Sequence, residues 1–146
     1  MVHFALLNNH IHFLVEARNR RALSRGMQGL LIRIAKALNK LWNRKGSVFQ
    51  DRFYSKVMRT YRHVRNALCY VLHNARRHGL KLMNPLDPYT SGPWFDGWKE
   101  DVDASALPFS FRPVARARTY ALCEGWKRHR LISAWELPAA AFRDSE

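Results

Sequence analysis

The chain begins with short apolar runs broken by polar pairs. Val2 to Leu7 reads as a strand, Asn8 and Asn9 as a turn, and His10 to Glu16 as a second strand. Alternation along the second strand puts Ile11, Phe13 and Val15 on one face and His10, His12 and Leu14 on the other. After a basic loop, Arg18 to Arg21, the period becomes helical. Leu23, Met27, Leu30, Leu31, Ile34, Leu38 and Leu41 form one stripe over Ala22 to Trp42, and Gly46 follows as a stop. Arg25, Arg33, Lys36 and Lys40 fall largely off that stripe.

Short apolar and aromatic runs predict a strand over Val48 to Met58, interrupted near Asp51 and Arg52. Thr60 caps a helix expected over Tyr61 to His78, with Gly79 ending it. Val64, Leu68, Val71, Leu72 and Ala75 share one face of that helix. His63, Asn66, Tyr70, Asn74 and Arg77 share the opposite one. Beyond Lys81 the texture changes. Asn84 to Trp98 reads as loop, whose Trp94, Phe95 and Trp98 are expected to pack rather than stack bases. Glu100 to Phe111 reads as an acidic linker, and Pro113 to Arg130 as a third helix, with frayed residues at the end. The division by texture is 1–82, a core, and 83–146, a loop-rich extension with one helix.

Charge narrows the choice of partner. The 146 residues hold 25 Lys and Arg against 11 Asp and Glu, a net +14, which favours an anionic partner and above all nucleic acid. With 47% hydrophobic residues the chain can build a core, so wholesale disorder is excluded. Cys69 and Cys123 belong to no C-x-x-C pair, which argues against a disulfide framework or structural zinc site. The start carries no basic, signal-like segment, and no apolar run has the length of a membrane span, so the expected location is a bacterial-type cytoplasm.

Two constellations carry candidate chemistry. His10 and His12, two apart on a strand, point the same way and offer imidazole nitrogens to a metal. The competing reading is two partly exposed strand histidines. Tyr70 and Asn74, one helical turn apart, offer a phenol and an amide oxygen. A nearby cation would stabilise the phenolate and polarise a phosphate, although a half-buried aromatic anchor would look the same in sequence. Arg18, Arg20, Arg21 and Arg25 follow the histidines, and Arg76, Arg77 and His78 follow the tyrosine, as phosphate-positioning residues would. No G-x-S-x-G, Walker or Rossmann fingerprint occurs, and few carboxylates exist for a two-metal nuclease.

Asn9-His10-Ile11-His12-Phe13-Leu14-Val15-Glu16 and Tyr70-Val71-Leu72-His73-Asn74-Ala75-Arg76-Arg77-His78-Gly79 together resemble the REP-associated tyrosine transposases of the single-tyrosine HUH group. Leu23 to Gly29, Phe49 to Tyr54, Asp87 to Trp98 and Arg118 to His129 are also similar to that family, so the likeness spans most of the chain. It implies an α+β fold, an antiparallel sheet of ferredoxin-like palm type with flanking helices, plus a C-terminal helical tail. It implies binding of single-stranded or hairpin DNA. His10, His12 and Asn74 would hold a divalent metal, Mg²⁺ or Mn²⁺. Tyr70 would attack the scissile phosphate to give a 5′-phosphotyrosine and a free 3′-OH, and religation would complete transposition. Arg18, Arg21, Arg25, Arg76 and Arg77 would contact the DNA.

Two departures stand out. Family members carry a strand, a helix and a further strand before the histidines, where here nine residues precede His10; Ala75 stands where the family often has Pro. An N-terminally truncated core would expose a sheet edge, which a homodimer would cover. The alternatives to an active nickase are an inactive remnant and a repurposed single-stranded nucleic-acid binder.

Overall fold

A computed structural model of the chain describes residues 1–77, 79, 82, 84–103 and 111–138, with Arg77 described by its backbone alone. It forms an α+β structure of one two-stranded antiparallel sheet and, among the described residues, four α-helices. The contacts group the chain into two compact units. One is built from Met1–Glu16 and Met58–Glu146, the other from Ala17–Val57. The division by texture at residue 82 falls inside the first unit.

In the first unit, β1 (His3–Leu6) and β2 (Ile11–Leu14) form a hairpin in which His3 faces Leu14 and Ala5 faces His12. Residues paired across an antiparallel ladder share a face. His3, Ala5 and Leu14 are buried while Leu6 is 45% exposed, so the face carrying His12 is the one turned to the core. The far edge of β1 is occupied: the Leu6 amide donates to the Tyr89 carbonyl at 2.8 Å and the Ser91 amide to the Phe4 carbonyl at 3.0 Å.

Helix α2 (Tyr61–Leu72) covers this hairpin. Thr60 caps it as expected, its hydroxyl accepting from the His63 amide at 3.1 Å. Val64, Ala67, Leu68, Cys69, Val71 and Leu72 pack with Ala5, Leu14, Phe95, Trp126 and Ile132. Leu68, fully enclosed, alone contributes about 2 kcal/mol of apolar burial. The loop aromatics pack as expected: Phe95 is buried, and the half-buried Trp98 donates its Nε1–H to the Gly92 carbonyl at 3.1 Å. At Gly97 the backbone passes so close to the Trp126 and Phe95 rings that a Cβ would collide with both.

The helix expected to run to His78 stops at Leu72. His73 adopts φ −112° and ψ 22°, and its amide and its ring Nδ1 both bond the Cys69 carbonyl at 3.1 Å. A separate turn, α3 (Asn74–Arg77), follows. Gly79 takes φ +78°, as a stop residue should; His78 lies outside the described residues.

The helix expected over Pro113 to Arg130 shrinks to α4 (Tyr120–Cys123) and a 3₁₀ turn, Gly125–His129. The reason is tertiary. The Glu16 carboxylate, at the end of the hairpin, accepts from the Arg118 amide and from both the amide and hydroxyl of Thr119, at 2.6–3.1 Å. These bonds place the helix start at Thr119. Gly125 lies so close to Tyr61 that a Cβ would meet its ring at 2.7 Å. Part of the expected linker (104–110) and the end of the chain (139–146) lie outside the described residues.

The second unit is dominated by α1 (Arg20–Leu41). It starts earlier than the hydrophobic period suggested, because Asn19 caps it by accepting from the Ala22 amide at 2.9 Å. Its stop residue is Asn43, φ +48°, two past the last helical residue, rather than Gly46. The Arg44 amide reaches the Asn39 carbonyl and the Asn43 amide the Lys40 carbonyl, the paired bonds of a Schellman turn. Only Met27 of its stripe is buried. No strand forms over Val48 to Met58; Tyr54 and Val57 are 82% and 76% exposed. An apolar run becomes a strand only when a neighbour accepts its backbone bonds, and none among the described residues does.

Candidate functional site

The hairpin and α2 bring three of the expected site residues together. His10, just ahead of β2, and His12, within it, approach each other with their Nε2 atoms 3.2 Å apart. The Tyr70 hydroxyl, from the last full turn of α2, lies 3.4 Å from His12 Nε2. The Tyr70 and His12 rings meet edge to face with centroids 5.0 Å apart. This follows from the inward turn of the His12 face: α2 covers that face, and Tyr70 reaches it from the helix.

The hydrogen bond to Asn9 sets the tautomer of a neutral His10. His10 Nδ1 donates to the Asn9 side-chain oxygen at 2.7 Å, which leaves its Nε2 bare. His12 Nε2 can donate to His10 or accept from Tyr70, but one ring nitrogen cannot do both. With His12 Nε2 unprotonated, the two Nε2 lone pairs could meet on one ion if the Tyr70 hydroxyl gave up its contact with His12. Nitrogens bound to one ion at about 2.1 Å are spaced by about 3.0–3.4 Å, so the observed separation suits a shared cation. Asn9 is an orienting residue whose role was not read from the sequence, though it abuts the first histidine.

Asn74 departs from the expected set. It is not on the exposed face that the helical spacing implied. The break at His73 takes it off α2, and it is 1% exposed. Its amide oxygen and nitrogen have no hydrogen-bond partner among the described residues. An orphaned buried amide is costly and is the kind of group a cation would satisfy, yet it bonds to neither histidine. Among the described residues no three His, Cys, Asp or Glu side chains form a metal-holding group. Two imidazoles and a phenol are what the structure assembles; a third ligand from Asn74 would require that amide to be presented to the histidines.

The cations divide among different settings. Arg18, Arg21 and Arg25 are exposed and belong to the second unit, around the start of α1. Arg76 is half-buried, its guanidinium 4.7 Å from the centre of the Trp135 ring, with Nε and Nη2 lacking hydrogen-bond partners among the described residues. Arg77 is described by its backbone alone.

Two buried polar arrangements were missed in the sequence. Arg65, which helical spacing left unassigned, is buried and makes a bidentate pair with Glu136 at 2.6 Å. Burial alone would raise the Glu136 carboxyl, but the Arg65 bonds and charge hold it below its ordinary range. Cys69, beside this pair, is pushed up to about 12 by burial and by the Glu136 charge, which rules it out as a ready nucleophile. His3 Nδ1 bonds the Ser91 hydroxyl at 3.0 Å, and burial lowers its pKa to about 4. A contact between residues so far apart in sequence leaves no local signal. No helix among the described residues is long and apolar enough to cross a membrane. No family model, no curated protein and no solved structure matches the chain.

Proposed function

We propose that the chain is a tyrosine-dependent DNA strand-cleaving and strand-transfer protein of the HUH transposase type, acting on single-stranded or hairpin DNA. The observation that carries the reading is the convergence of His10 Nε2, His12 Nε2 and the Tyr70 hydroxyl within 3.2 and 3.4 Å. The α+β hairpin-and-helix arrangement supports it, as does the net charge of +14.

In this reading Tyr70 is the nucleophile. Its Oη forms a bond to phosphorus as the bond to the 3′ oxygen breaks, leaving a 5′-phosphotyrosine and a free 3′-OH. The phenol proton is lost and the departing oxygen is protonated, so the step needs no cofactor turnover. Attack by the 3′-OH of another strand reverses it. His10 and His12 would hold a divalent cation, Mg²⁺ or Mn²⁺, with Asn74 as the candidate third ligand. Such a cation, when bound, would polarise the phosphoryl oxygens and favour the phenolate. Asn9 keeps His10 in the tautomer with Nε2 bare. Exposed Arg18, Arg21 and Arg25 would contribute phosphate contacts.

The second reading is a single-stranded nucleic-acid binder without cleavage. The enclosed Asn74, which has no hydrogen-bond partner among the described residues and bonds to neither histidine, favours it, since the third ligand is then absent from the site.

An adduct assay separates the two. The chain is mixed with labelled hairpin DNA and Mg²⁺ or Mn²⁺, denatured, and examined for label retained on protein. The cleavage reading expects an adduct that needs metal and disappears in Tyr70→Phe, with DNA binding retained. An adduct that persists in Tyr70→Phe would refute Tyr70 as nucleophile. No adduct under any metal, with salt-sensitive DNA binding, would establish the binder.

A further inference from the structure

A second concentration of donors lies on the same helix, away from the tyrosine. Arg62, Arg65 and Asn66 of α2 face His129 and Arg130, at the end of the 3₁₀ turn, across a cavity of about 310 Å³. The side chains of Arg62, Asn66, His129 and Arg130 make no hydrogen bond or ion pair with any described residue. Four residues whose side-chain donors are unengaged among the described residues thus line one space. The acidic side chain in contact with this lining, Glu136, has its carboxylate tied to Arg65.

The wall is held in an uncommon shape. Arg130 sits at φ +78°, a region that favours glycine. Arg65 holds it there, donating to the carbonyls of Arg130 and Leu131 at 3.4 Å while its other bonds go to Glu136. Non-glycine residues in such conformations persist where surrounding contacts over-determine them, and they gather at ligand sites. Here the strained turn makes Arg130 part of the cavity lining.

The helix also relates this cavity to the tyrosine. Arg62, Asn66 and Tyr70 are spaced four apart, so they follow one another along one side of α2, Asn66 about 6 Å and Arg62 about 12 Å from Tyr70 along the axis. A nucleic-acid strand with one phosphate at Tyr70 would present further phosphates along that line.

We propose that this cavity binds a backbone phosphate of a single-stranded nucleic acid, near the phosphate presented to Tyr70. Arg62 and Arg130 supply the charge, Asn66 and His129 supply hydrogen bonds, and Arg65 is a positioning residue that sets the Arg130 turn. The proposal rests on the reading of the chain as a single-strand DNA-binding protein.

The test is fluorescence anisotropy of a labelled single-stranded oligonucleotide over a series of NaCl concentrations. It compares the full chain, Arg62→Ala and Arg130→Gly. Arg130→Gly is informative because glycine accepts φ +78° without strain, so the variant should melt no lower than the parent. Each variant is expected to weaken binding, with the slope of log K against log salt shallower by about 0.7, the loss of one single-strand phosphate contact. Inorganic phosphate alone is the second probe, read as a thermal upshift that the parent shows and both variants lose.

Unchanged slopes in both folded variants would overturn the proposal. A phosphate upshift lost in the variants, with oligonucleotide slopes unchanged, would also overturn it, leaving a site for free anions. Failure here is distinguishable from failure of the cleavage reading. Absence of an adduct together with shallower slopes counts against Tyr70 chemistry alone, whereas an adduct with unchanged slopes counts against this cavity alone.

Discussion

Mild acid should unfold this protein partly through one histidine. His3 is 5% exposed, bonded through Nδ1 to the Ser91 hydroxyl and set edge-on to Phe95 at 5.5 Å. Burial, with Arg112 nearby, lowers its pKa from 6.5 to about 4, against smaller opposing effects of Asp96 and Glu16. The unfolded chain therefore binds a proton at His3 that the folded chain refuses. Stability from this group is complete above pH 6.5 and is lost as the pH falls from 6.5 toward 4. One pKa unit is worth about 1.4 kcal/mol, so the full loss is about 3 kcal/mol, a sizeable share of the ~5–15 kcal/mol typical of a domain. The variant His3→Gln keeps a hydrogen-bonding group toward Ser91 but cannot titrate. Urea denaturation at closely spaced pH values gives the stability of each protein. His73, whose pKa burial also lowers, is common to both and cancels in the difference. The wild-type curve should fall more steeply than that of His3→Gln between pH 6.5 and 4, by at most about 1.4 kcal/mol per unit. Parallel curves over that window would refute the assignment, whatever the absolute stability of the variant.

Glu136→Ala should cost about 2–3 kcal/mol in denaturant unfolding, somewhat less than a fully enclosed pair because Glu136 keeps 27% of its side-chain exposure; a loss under about 0.5 kcal/mol would mean that Arg65 finds equivalent partners elsewhere. Its carboxyl is held below the ordinary value of 4.5, so its contribution is present above that value and is lost as pH falls through the folded one. Iodoacetamide on the native protein should label half-exposed Cys123 and spare Cys69, whose thiol is enclosed and pushed up to about 12. Peptide mapping that finds equal labelling of both would place Cys69 in solvent.

The sequence by itself determined the local elements whose signal is complete within a few residues. The hairpin alternation, the long amphipathic period of α1 and the Thr60 cap all carry their own stabilising partners nearby. Their outlines were legible because each depends on spacing or on a hydrogen bond three residues away. The histidine pair and Tyr70 were legible as candidates for the same reason, since strand and helix periodicities say which way each points.

What only the tertiary structure decided has a common cause: a distant residue competes for a backbone or side-chain group. Alternation separated the two faces of β2 but not which of them meets α2. Burial of His3, Ala5 and Leu14 resolved that, and it put His12 beside Tyr70. Glu16 moved the start of α4 to Thr119, and an enclosed His73 ended α2 at Leu72. That break carried Asn74 from the helix face where spacing placed it into a buried position. The apolar run after Val48 had strand composition and no strand beside it. Helical spacing left Arg65 unassigned; Glu136, seventy-one residues away, made it an internal cation.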